Sequence, residues 1–246
     1  MGEKHEKISR INIQNGQGLV EYGLLLALIV VGLILALSLG GVSLSDLYCT
    51  VASGIGGGES CNEQKMYCQD SFDGDLSAWQ PLNNTVSLND GQMCFGSGLQ
   101  AMNKCSMKLP ESDYVIKMDD VSISSGNGYG VFFRSTVDSN GLDGYVFQYD
   151  PGWKSSKYPN GALLIRQWIN GREISTPIAV TPIGENVYNT PHDFEINVSG
   201  DTYTVVMDGK EVLSAQDSTY TTGGTGLRSW FGTSACIGDF SVFETP

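Results

Sequence analysis

The sequence is poor in charge and poorest in basic residues. Only 17% of its 246 residues are charged, and 14 Lys and Arg stand against 27 Asp and Glu, so the formal net charge is −13. Proteins that bind nucleic acid use clustered basic residues to neutralise phosphates, and this sequence has no basic block. We therefore expect no nucleic-acid partner.

Histidine is nearly absent, and the cysteines do not form metal-binding pairs. The chain has two histidines, His5 and His192, and none of its six cysteines forms a C-x-x-C pair. This composition argues against a catalytic triad built on histidine and against a histidine-rich metal site. No phosphate-binding loop or dinucleotide-binding fingerprint occurs either.

The sequence does contain one long apolar run near its start. Residues 22–39 read YGLLLALIVVGLILALSL without a charge, which is long enough for a transmembrane helix. Lys4, Lys7 and Arg10 precede this run and predict a cytoplasmic N-terminus with an exported remainder. The run is therefore a signal peptide cleaved near Ala36-Leu37-Ser38, a single-pass anchor, or a segment whose role depends on the carboxylate directly before it.

That carboxylate is Glu21, in the segment GQGLVEY that spans residues 16–22. The segment resembles the processing site of type IVb pilins of the Flp/Tad family, whose mature chains carry Glu at the fifth position and Tyr at the sixth. The resemblance implies that a prepilin peptidase cleaves after Gly16 and leaves Gln17 as the first residue. It also implies that Glu21 and Tyr22 act in filament assembly. The Gln17 ammonium of one copy would pair with Glu21 of another, since a charge in an apolar stem needs a partner.

An apolar stripe at helical spacing continues beyond the run, through Val42, Leu44, Leu47 and Val51, and glycines follow it. We therefore predict a helix that ends near residue 53. The predicted divisions are a prepilin leader (1–16), a hydrophobic pilin helix (17–53), a Gly-rich linker (54–67) and a β domain (68–246).

Beyond residue 68 the hydrophobic pattern changes to a period of two. Asn-Gly and Asp-Gly dipeptides separate short segments rich in β-branched and aromatic residues, which predicts antiparallel hairpins. The fold class predicted for the whole chain is therefore α+β, with a long N-terminal α-helix followed by an all-β antiparallel sandwich. The segments that characterise this part are 70–79 (DSFDGDLSAW), 128–134 (GYGVFFR), 144–149 (GYVFQY), 201–210 (DTYTVVMDGK), 226–231 (GLRSWF) and 237–242 (IGDFSV).

In their order along the chain, these segments resemble concanavalin A-like jelly rolls of the laminin G and glucanase type, particularly the domains named for 3-keto-disaccharide hydrolase. Retaining glucanases of this type need two carboxylates about 5 Å apart, usually from an E-x-D-x-x-E strand. The sequence has no such strand, and Glu195 lacks a second carboxylate at that spacing. We therefore predict that the protein is not an enzyme and requires no cofactor.

Strand alternation predicts a polar face on the sandwich. If Val131 and Ile165 face the core, polar and aromatic neighbours share the opposite face, where planar side chains can hold a sugar. Ordinary surface or subunit contacts are the alternative interpretation. The candidate glycan-binding residues are Arg134, Gln148, Arg166 and Trp168, with Trp153 in a neighbouring loop.

The resemblance also suggests a structural Ca²⁺ that ties the first strand to the last, because jelly rolls of this type often hold one with carboxylates and carbonyls. Asp70, Asp73 or Asp75, together with Asp239, are the candidate ligands. A solvated acidic turn is the alternative interpretation.

All six cysteines follow the apolar run: Cys49, Cys61, Cys68, Cys94, Cys105 and Cys236. An even number in an exported segment predicts disulfides, with fifteen connectivities available. We expect Cys94–Cys105 across a hairpin and Cys68–Cys236 between the first and last strands, which leaves Cys49–Cys61.

The sequence thus predicts a membrane-bound precursor that becomes a subunit of an extracellular homopolymeric filament. Each subunit would display a lectin-like jelly roll for adhesion or polysaccharide binding. The alternative is a secreted or membrane-anchored protein that binds or processes carbohydrate and does not polymerise.

Overall fold

The computed structural model describes residues 64–109, 113–184 and 187–245, together with Leu24. The chain forms two compact units, Met1–Glu63 and Gln64–Pro246. The predicted leader, the pilin helix, most of the linker, and Cys49 and Cys61 lie outside the described residues. Within the described ranges, no helix has both the length and the apolar character needed to cross a membrane.

The second unit is built from seventeen strands in two antiparallel sheets. The strands are β1 (Met66–Asp70), β2 (Trp79–Asn83), β3 (Val86–Asn89), β4 (Gln92–Phe95), β5 (Gln100–Asn103), β6 (Tyr114–Ser125), β7 (Gly128–Asp138), β8 (Gly141–Asp150), β9 (Ala162–Ile169), β10 (Arg172–Glu173), β11 (Ala179–Pro182), β12 (His192–Ser199), β13 (Thr202–Met207), β14 (Lys210–Gln216), β15 (Gly224–Trp230), β16 (Ser234–Ile237) and β17 (Asp239–Glu244).

The nine-stranded sheet has the order β14-β13-β12-β6-β16-β4-β3, and β17 pairs with both β6 and β1 beside this path. The eight-stranded sheet has the order β10-β9-β8-β7-β15-β5-β2, and β11 pairs with β9. The predicted α+β class is therefore wrong. Between residues 64 and 245, the described chain is an antiparallel β-sandwich whose helical content is one 3₁₀ turn, Ser106–Lys108.

The core lies between the two sheets and is rich in aromatic side chains, because alternate residues of each long strand point inward. On β7 the inward set includes Tyr129 and Phe133, as the alternation predicts. Tyr129 stacks on Tyr149 of β8 with ring centroids 5.5 Å apart, and Phe133 meets Tyr203 of the opposite sheet at 5.0 Å. Contacts of this kind hold the two layers together, since each buried ring removes a large apolar area from water.

Two of the predicted hairpin dipeptides form tight turns, each between two consecutive antiparallel strands. Asn170 and Gly171 have φ angles of 51° and 72° between β9 and β10. Asp208 and Gly209 have φ angles of 52° and 75° between β13 and β14. Two successive positive φ angles match the twist of adjacent antiparallel strands, which is why these dipeptides indicate hairpins.

Two of the predicted disulfide pairings, Cys94–Cys105 and Cys68–Cys236, are wrong. The structure forms Cys68–Cys105, with Cα atoms 5.9 Å apart, and Cys94–Cys236, with Cα atoms 4.1 Å apart. Cys94 and Cys105 do not share a hairpin because β4 and β5 belong to different sheets. Cys236 lies on β16, directly opposite Cys94 of β4, and not on the last strand.

The expected adjacency of the first and last strands is confirmed. β1 pairs antiparallel with β17, and Asp70 lies opposite Phe240. The Cys68–Cys105 bond therefore joins β1, in the nine-stranded sheet, to the chain two residues after β5, a strand of the eight-stranded sheet. It is a covalent link between the two layers of the sandwich.

Candidate functional site

The outer face of the eight-stranded sheet carries a cluster of polar side chains. Four of them, Gln148 (β8), Arg166 (β9), Glu173 (β10) and Arg228 (β15), form what we call the arginine cluster. Strand register places them together: Gly130 of β7 pairs with both Arg228 and Gln148 on its two sides. On the neighbouring strands, Glu173 pairs with Trp168, two residues from Arg166 on the same face of β9.

Glu173 is the centre of the cluster. Its carboxylate accepts hydrogen bonds from Gln148 Nε2 at 2.7 Å and from Arg228 Nη1, and its Oε1 lies 3.3 Å from Arg166 Nε. Gln148 Oε1 in turn accepts a hydrogen bond from Arg166 Nε at 3.1 Å. Arg166 Nη1 donates to the backbone carbonyls of Ile174 and Ser175, so the loop after β10 also fixes this guanidinium.

Three tryptophans hold the two guanidinium groups flat. The Arg228 guanidinium lies 4.6 Å from the ring centroids of both Trp168 and Trp230, and that of Arg166 lies 4.7 Å from the Trp153 ring. Cation–π contacts of this kind favour partly desolvated arginines. Both guanidinium groups are thereby held in fixed positions.

Trp168 does not present its ring to solvent, as a surface for sugar stacking would require. Its side chain is 4% exposed, its ring meets Phe132 edge-on at 5.3 Å, and Arg228 lies against it. Its role in the cluster is therefore to support Arg228. The groups presented to solvent are the polar ones: the side chains of Arg228 and Glu173 are 12% and 28% exposed.

Gly130 makes this arrangement sterically feasible. A Cβ at this position would lie 2.8 Å from both the Phe147 carbonyl oxygen and Val146 Cγ2, and 3.2 Å from Arg228 Cγ. With glycine here, the Arg228 side chain can pass over β7 and reach Trp168 on β9 and Glu173 on β10, on the same face of the sheet.

Burial perturbs two ionisable groups in and beside the cluster. It lowers the pKa of Arg228, while the Glu173 carboxylate opposes that change. It raises the pKa of Asp150, at the end of β8, to about 6, against the opposing effects of the Trp153 backbone N–H and Arg166. Desolvation next to opposite charges is typical of functional sites as well as of structural ion pairs.

Two buried donors of this region lack an acceptor within the part of the chain that the structure describes. They are Trp168 Nε1 and Arg228 Nε. Buried polar groups without a partner are uncommon in folded proteins.

The structure brings together Gln148, Arg166, Trp168 and Trp153 of the predicted glycan-binding set, but not Arg134. The register of β7 against β8 shifts between Phe133 and Thr136, and Arg134 has a φ of 45° within this irregularity. Its side chain is 2% exposed, and its guanidinium bonds Asp113 at 2.9 Å and the Tyr203 hydroxyl at 3.1 Å. The expectation that Arg134 shares the polar face is therefore wrong.

Sequence reasoning missed Glu173, Arg228 and Trp230. Arg228 and Trp230 alternate with the buried Leu227 and Ser229 on β15, so the period-two pattern could have placed them on the outer face. Glu173 had no such signal, because β10 is only two residues long.

Three of the predicted Ca²⁺ ligands, all near the first strand, each accept hydrogen bonds from different neighbouring groups. Asp70 accepts hydrogen bonds from the Phe72 backbone N–H and Trp79 Nε1, at 3.0 and 2.9 Å. Asp73 accepts one from the Ser71 hydroxyl, and Asp75 accepts one from the Ser77 backbone N–H. Burial, with Asp119 nearby, raises the pKa of Asp239. No three His, Cys, Asp or Glu side chains in the described ranges are grouped to hold a metal ion, and Ca²⁺ binding stays a prediction.

Sequence comparison matches the domain to a protein family and to part of one curated relative. A family model described as a 3-keto-alpha-glucoside-1,2-lyase-like domain matches residues 68–233. The levanase of Bacillus subtilis (strain 168) is 30% identical over 125 residues, which are 48% of this chain and 16% of the levanase. The matched region therefore spans about a sixth of the length of that curated relative.

Solved structures show the same fold at low sequence identity. The carbohydrate-binding module CBM66 from Bacillus subtilis has a TM-score of 0.51 and 21% identity, covering 68% of this chain and 96% of the module. The VIP36 exoplasmic/lumenal domain, solved with Ca²⁺ and Man3GlcNAc, has a TM-score of 0.58 and 11% identity, covering 72% and 88%. A lichenase from a mouse hindgut metagenome has a TM-score of 0.55 and 12% identity, covering 72% and 99%.

The jelly-roll resemblance noted in the sequence is confirmed by these matches, whereas the pilin resemblance is not shown by them. The family match covers most of the β-sandwich, from β1 to the turn before β16. The chain belongs to the family of 3-keto-alpha-glucoside-1,2-lyase-like domains.

Proposed function

We propose that the β-sandwich is a carbohydrate-binding domain whose ligand lies against the arginine cluster. The observation that carries the proposal is the fixed geometry of Arg166 and Arg228, each held by Glu173 and by a tryptophan ring. Planar guanidinium and amide groups in fixed positions suit the paired hydroxyls of a sugar, because little conformational entropy is lost on binding.

The relatives support this class of ligand. One solved structure with the same fold is a carbohydrate-binding module, and the VIP36 domain was solved with an oligosaccharide. The curated relative is a levanase, of which the matched region is a small part. We therefore take a neutral polysaccharide as the expected ligand class.

We infer that the domain binds carbohydrate without cleaving it. Hydrolysis with retention needs a nucleophilic carboxylate and an acid about 5 Å apart. Glu173 already accepts from Gln148 and contacts both arginines of the cluster, which leaves its oxygens engaged. The observation that favours an enzyme instead is Asp150, whose raised pKa of about 6 suits a general acid. Release of reducing sugar from a bound polysaccharide would favour that second candidate.

The binding test uses the full chain and a panel of soluble polysaccharides, including levan, mixed-linkage β-glucan and mannan. Isothermal titration calorimetry compares the wild type with Arg228→Lys, which keeps the charge opposite Glu173 but loses the planar fork. Arg172→Gln is the matched control, because Arg172 lies exposed on β10 beside Glu173 and outside the cluster.

We expect at least one polysaccharide to bind the wild type and the control equally, and to bind Arg228→Lys at least 10-fold more weakly. A tenfold loss corresponds to about 1.4 kcal/mol, which is within the range of one charge-assisted hydrogen bond. Equal affinity of all three proteins would contradict the assignment of this face. An absence of binding to every member of the panel would contradict the carbohydrate ligand.

We propose an extracellular location for the domain, supported by its two disulfides, Cys68–Cys105 and Cys94–Cys236. The filament-subunit function depends on residues outside the described ranges and stays a prediction from the Gly16–Tyr22 segment. A filament would present many copies of the sugar-binding face, and multivalent display raises avidity without new contacts.

A further inference from the structure

Phe231 is an exposed aromatic residue with a positive φ angle, a backbone conformation that is unfavourable for bulky side chains. It follows β15 in a four-residue turn, Trp230–Thr233, which the Thr233 N–H closes by donating to the Trp230 carbonyl at 3.2 Å. The two central residues, Phe231 and Gly232, have φ angles of 38° and 75°. Turns with two positive φ angles favour Asn, Asp or Gly at the first central position, and a bulky residue there is an outlier.

Burial of the Phe231 ring in the core does not offset the cost of this backbone conformation. Its side chain is 77% exposed, the largest exposure among the large hydrophobic residues of the described ranges. An exposed ring gains little from the hydrophobic effect, so folding stability does not explain phenylalanine at this position. Strained, exposed residues of this kind cluster at ligand-binding sites, which points to a role in binding.

Phe231 lies at the same end of the sheet as Trp230 and the loop that carries Trp153. The preceding residue, Trp230, packs on the Arg228 guanidinium. The Phe231 carbonyl accepts a hydrogen bond from the Asn127 N–H at 3.2 Å, and the Asn127 carbonyl accepts one from the Gly152 N–H at 3.2 Å. Trp153, which packs on Arg166, follows Gly152 directly. Hydrogen bonds therefore join the turn that carries Phe231 to the segment that carries Trp153, and Trp230 directly precedes Phe231.

We propose that Phe231 is a stacking platform for a second sugar unit of a chain whose first unit lies on the arginine cluster. This inference rests on the proposed function and refines its ligand to an oligosaccharide or polysaccharide of at least two contacting units. The rings of Trp153, Trp168 and Trp230 already face guanidinium groups, whereas the Phe231 ring is open to solvent and can take the apolar face of a sugar.

Phe231→Asn separates this role from a structural one. Asparagine is favoured at the first central position of the turn, so the variant should be more stable, with a Tm higher by about 1–4 °C. We expect its affinity for the polysaccharide that binds the wild type to fall about 5- to 20-fold, while its affinity for the corresponding monosaccharide stays unchanged. Phe231→Tyr, which keeps the ring, should bind the polysaccharide like the wild type.

Leu88→Asn is the matched control, because it removes an exposed apolar side chain from β3, at an edge of the other sheet. Calorimetry, differential scanning fluorimetry and sedimentation velocity on the full chain give the three readouts. Polysaccharide affinity unchanged in Phe231→Asn overturns the inference, whatever its Tm. A change of oligomeric state in Phe231→Asn at unchanged affinity also overturns it and makes the ring a contact between copies.

The same measurements distinguish failure of the second subsite from failure of the proposed function. If Arg228→Lys loses affinity and Phe231→Asn does not, the carbohydrate-binding function stands and the second subsite is refuted. If the wild type binds no polysaccharide of the panel, the proposed function fails and the subsite fails with it.

Discussion

The ionisation of Asp150 gives a stability prediction with a definite sign. Asp150 ends β8 beside the arginine cluster, and its Oδ1 accepts the Trp153 backbone N–H at 2.9 Å. Burial raises its pKa from 3.8 to about 6. Between pH 4 and 6, Asp150 therefore keeps its proton in the folded protein but has lost it in the unfolded chain. The contribution of Asp150 makes the free energy of unfolding fall as pH rises through that window, and the contribution stays constant above it.

The magnitude follows from the two pKa values. At about 1.4 kcal/mol for each pKa unit, the change from 3.8 to about 6 sets an upper limit of about 3 kcal/mol of lost stability above pH 6. The side chain is partly exposed, and solvent screening reduces this to about 1–2 kcal/mol. Asp150→Asn removes the charge and keeps an oxygen that can accept the Trp153 N–H. It should therefore raise the Tm by about 2–8 °C at pH 7.5 and leave it unchanged at pH 4.

Differential scanning calorimetry of both proteins from pH 4 to pH 8 measures this effect. Asp75→Asn is the control, because Asp75 also caps a turn, through the Ser77 N–H, but hydrogen bonds from Ser77 lower its pKa. Its replacement should give no gain above pH 6. A Tm difference between Asp150→Asn and the wild type that is zero or the same at every pH would refute the reasoning.

Two further predictions concern Gly130 and the N-terminus. Gly130→Ala should lower the Tm by several degrees and weaken polysaccharide binding at least as much as Arg228→Lys. The reason is that its Cβ would lie 2.8 Å from the Phe147 carbonyl oxygen and would displace Arg228. Gly74→Ala is the control, since nothing lies within 4 Å of its Cβ position, and equal binding by both variants would contradict the steric argument. Mass spectrometry of the native protein should find Gln17 as the first residue; a start near Leu39 would indicate a signal peptide, and an intact Met1 an anchor.

Local patterns predicted the strands and most of the polar face. Gln148, Arg166 and Trp168 lie on the outer face because alternation is fixed by the pleat wherever the register is regular. Arg134 was misplaced because an irregularity in β7 breaks that alternation, and a positive φ at a non-glycine residue leaves no mark in the sequence pattern.

Contacts between residues far apart in the sequence could not be predicted from such local patterns. The sequence gives no indication that β4 and β5, which only four residues separate, enter different sheets. The two wrong disulfide predictions follow from that. The role of Glu173 depends on an arginine more than fifty residues away that crosses β7 at Gly130. Such contacts are set by the packing of the whole sandwich rather than by any short segment.

The Cys68–Cys105 bond has a mechanical consequence if the domain binds a polysaccharide, as proposed. A chain attached ahead of β1 pulls on the nine-stranded sheet, whereas the proposed ligand pulls on the outer face of the eight-stranded sheet. Noncovalent packing alone would let such a load peel the layers apart. The bond passes tension from Cys68, two residues into the first strand, to Cys105, two residues after β5, and β5 pairs with β15, which carries Arg228. Under reducing conditions the same load would act on side-chain packing instead, so the domain should release its hold at a lower force.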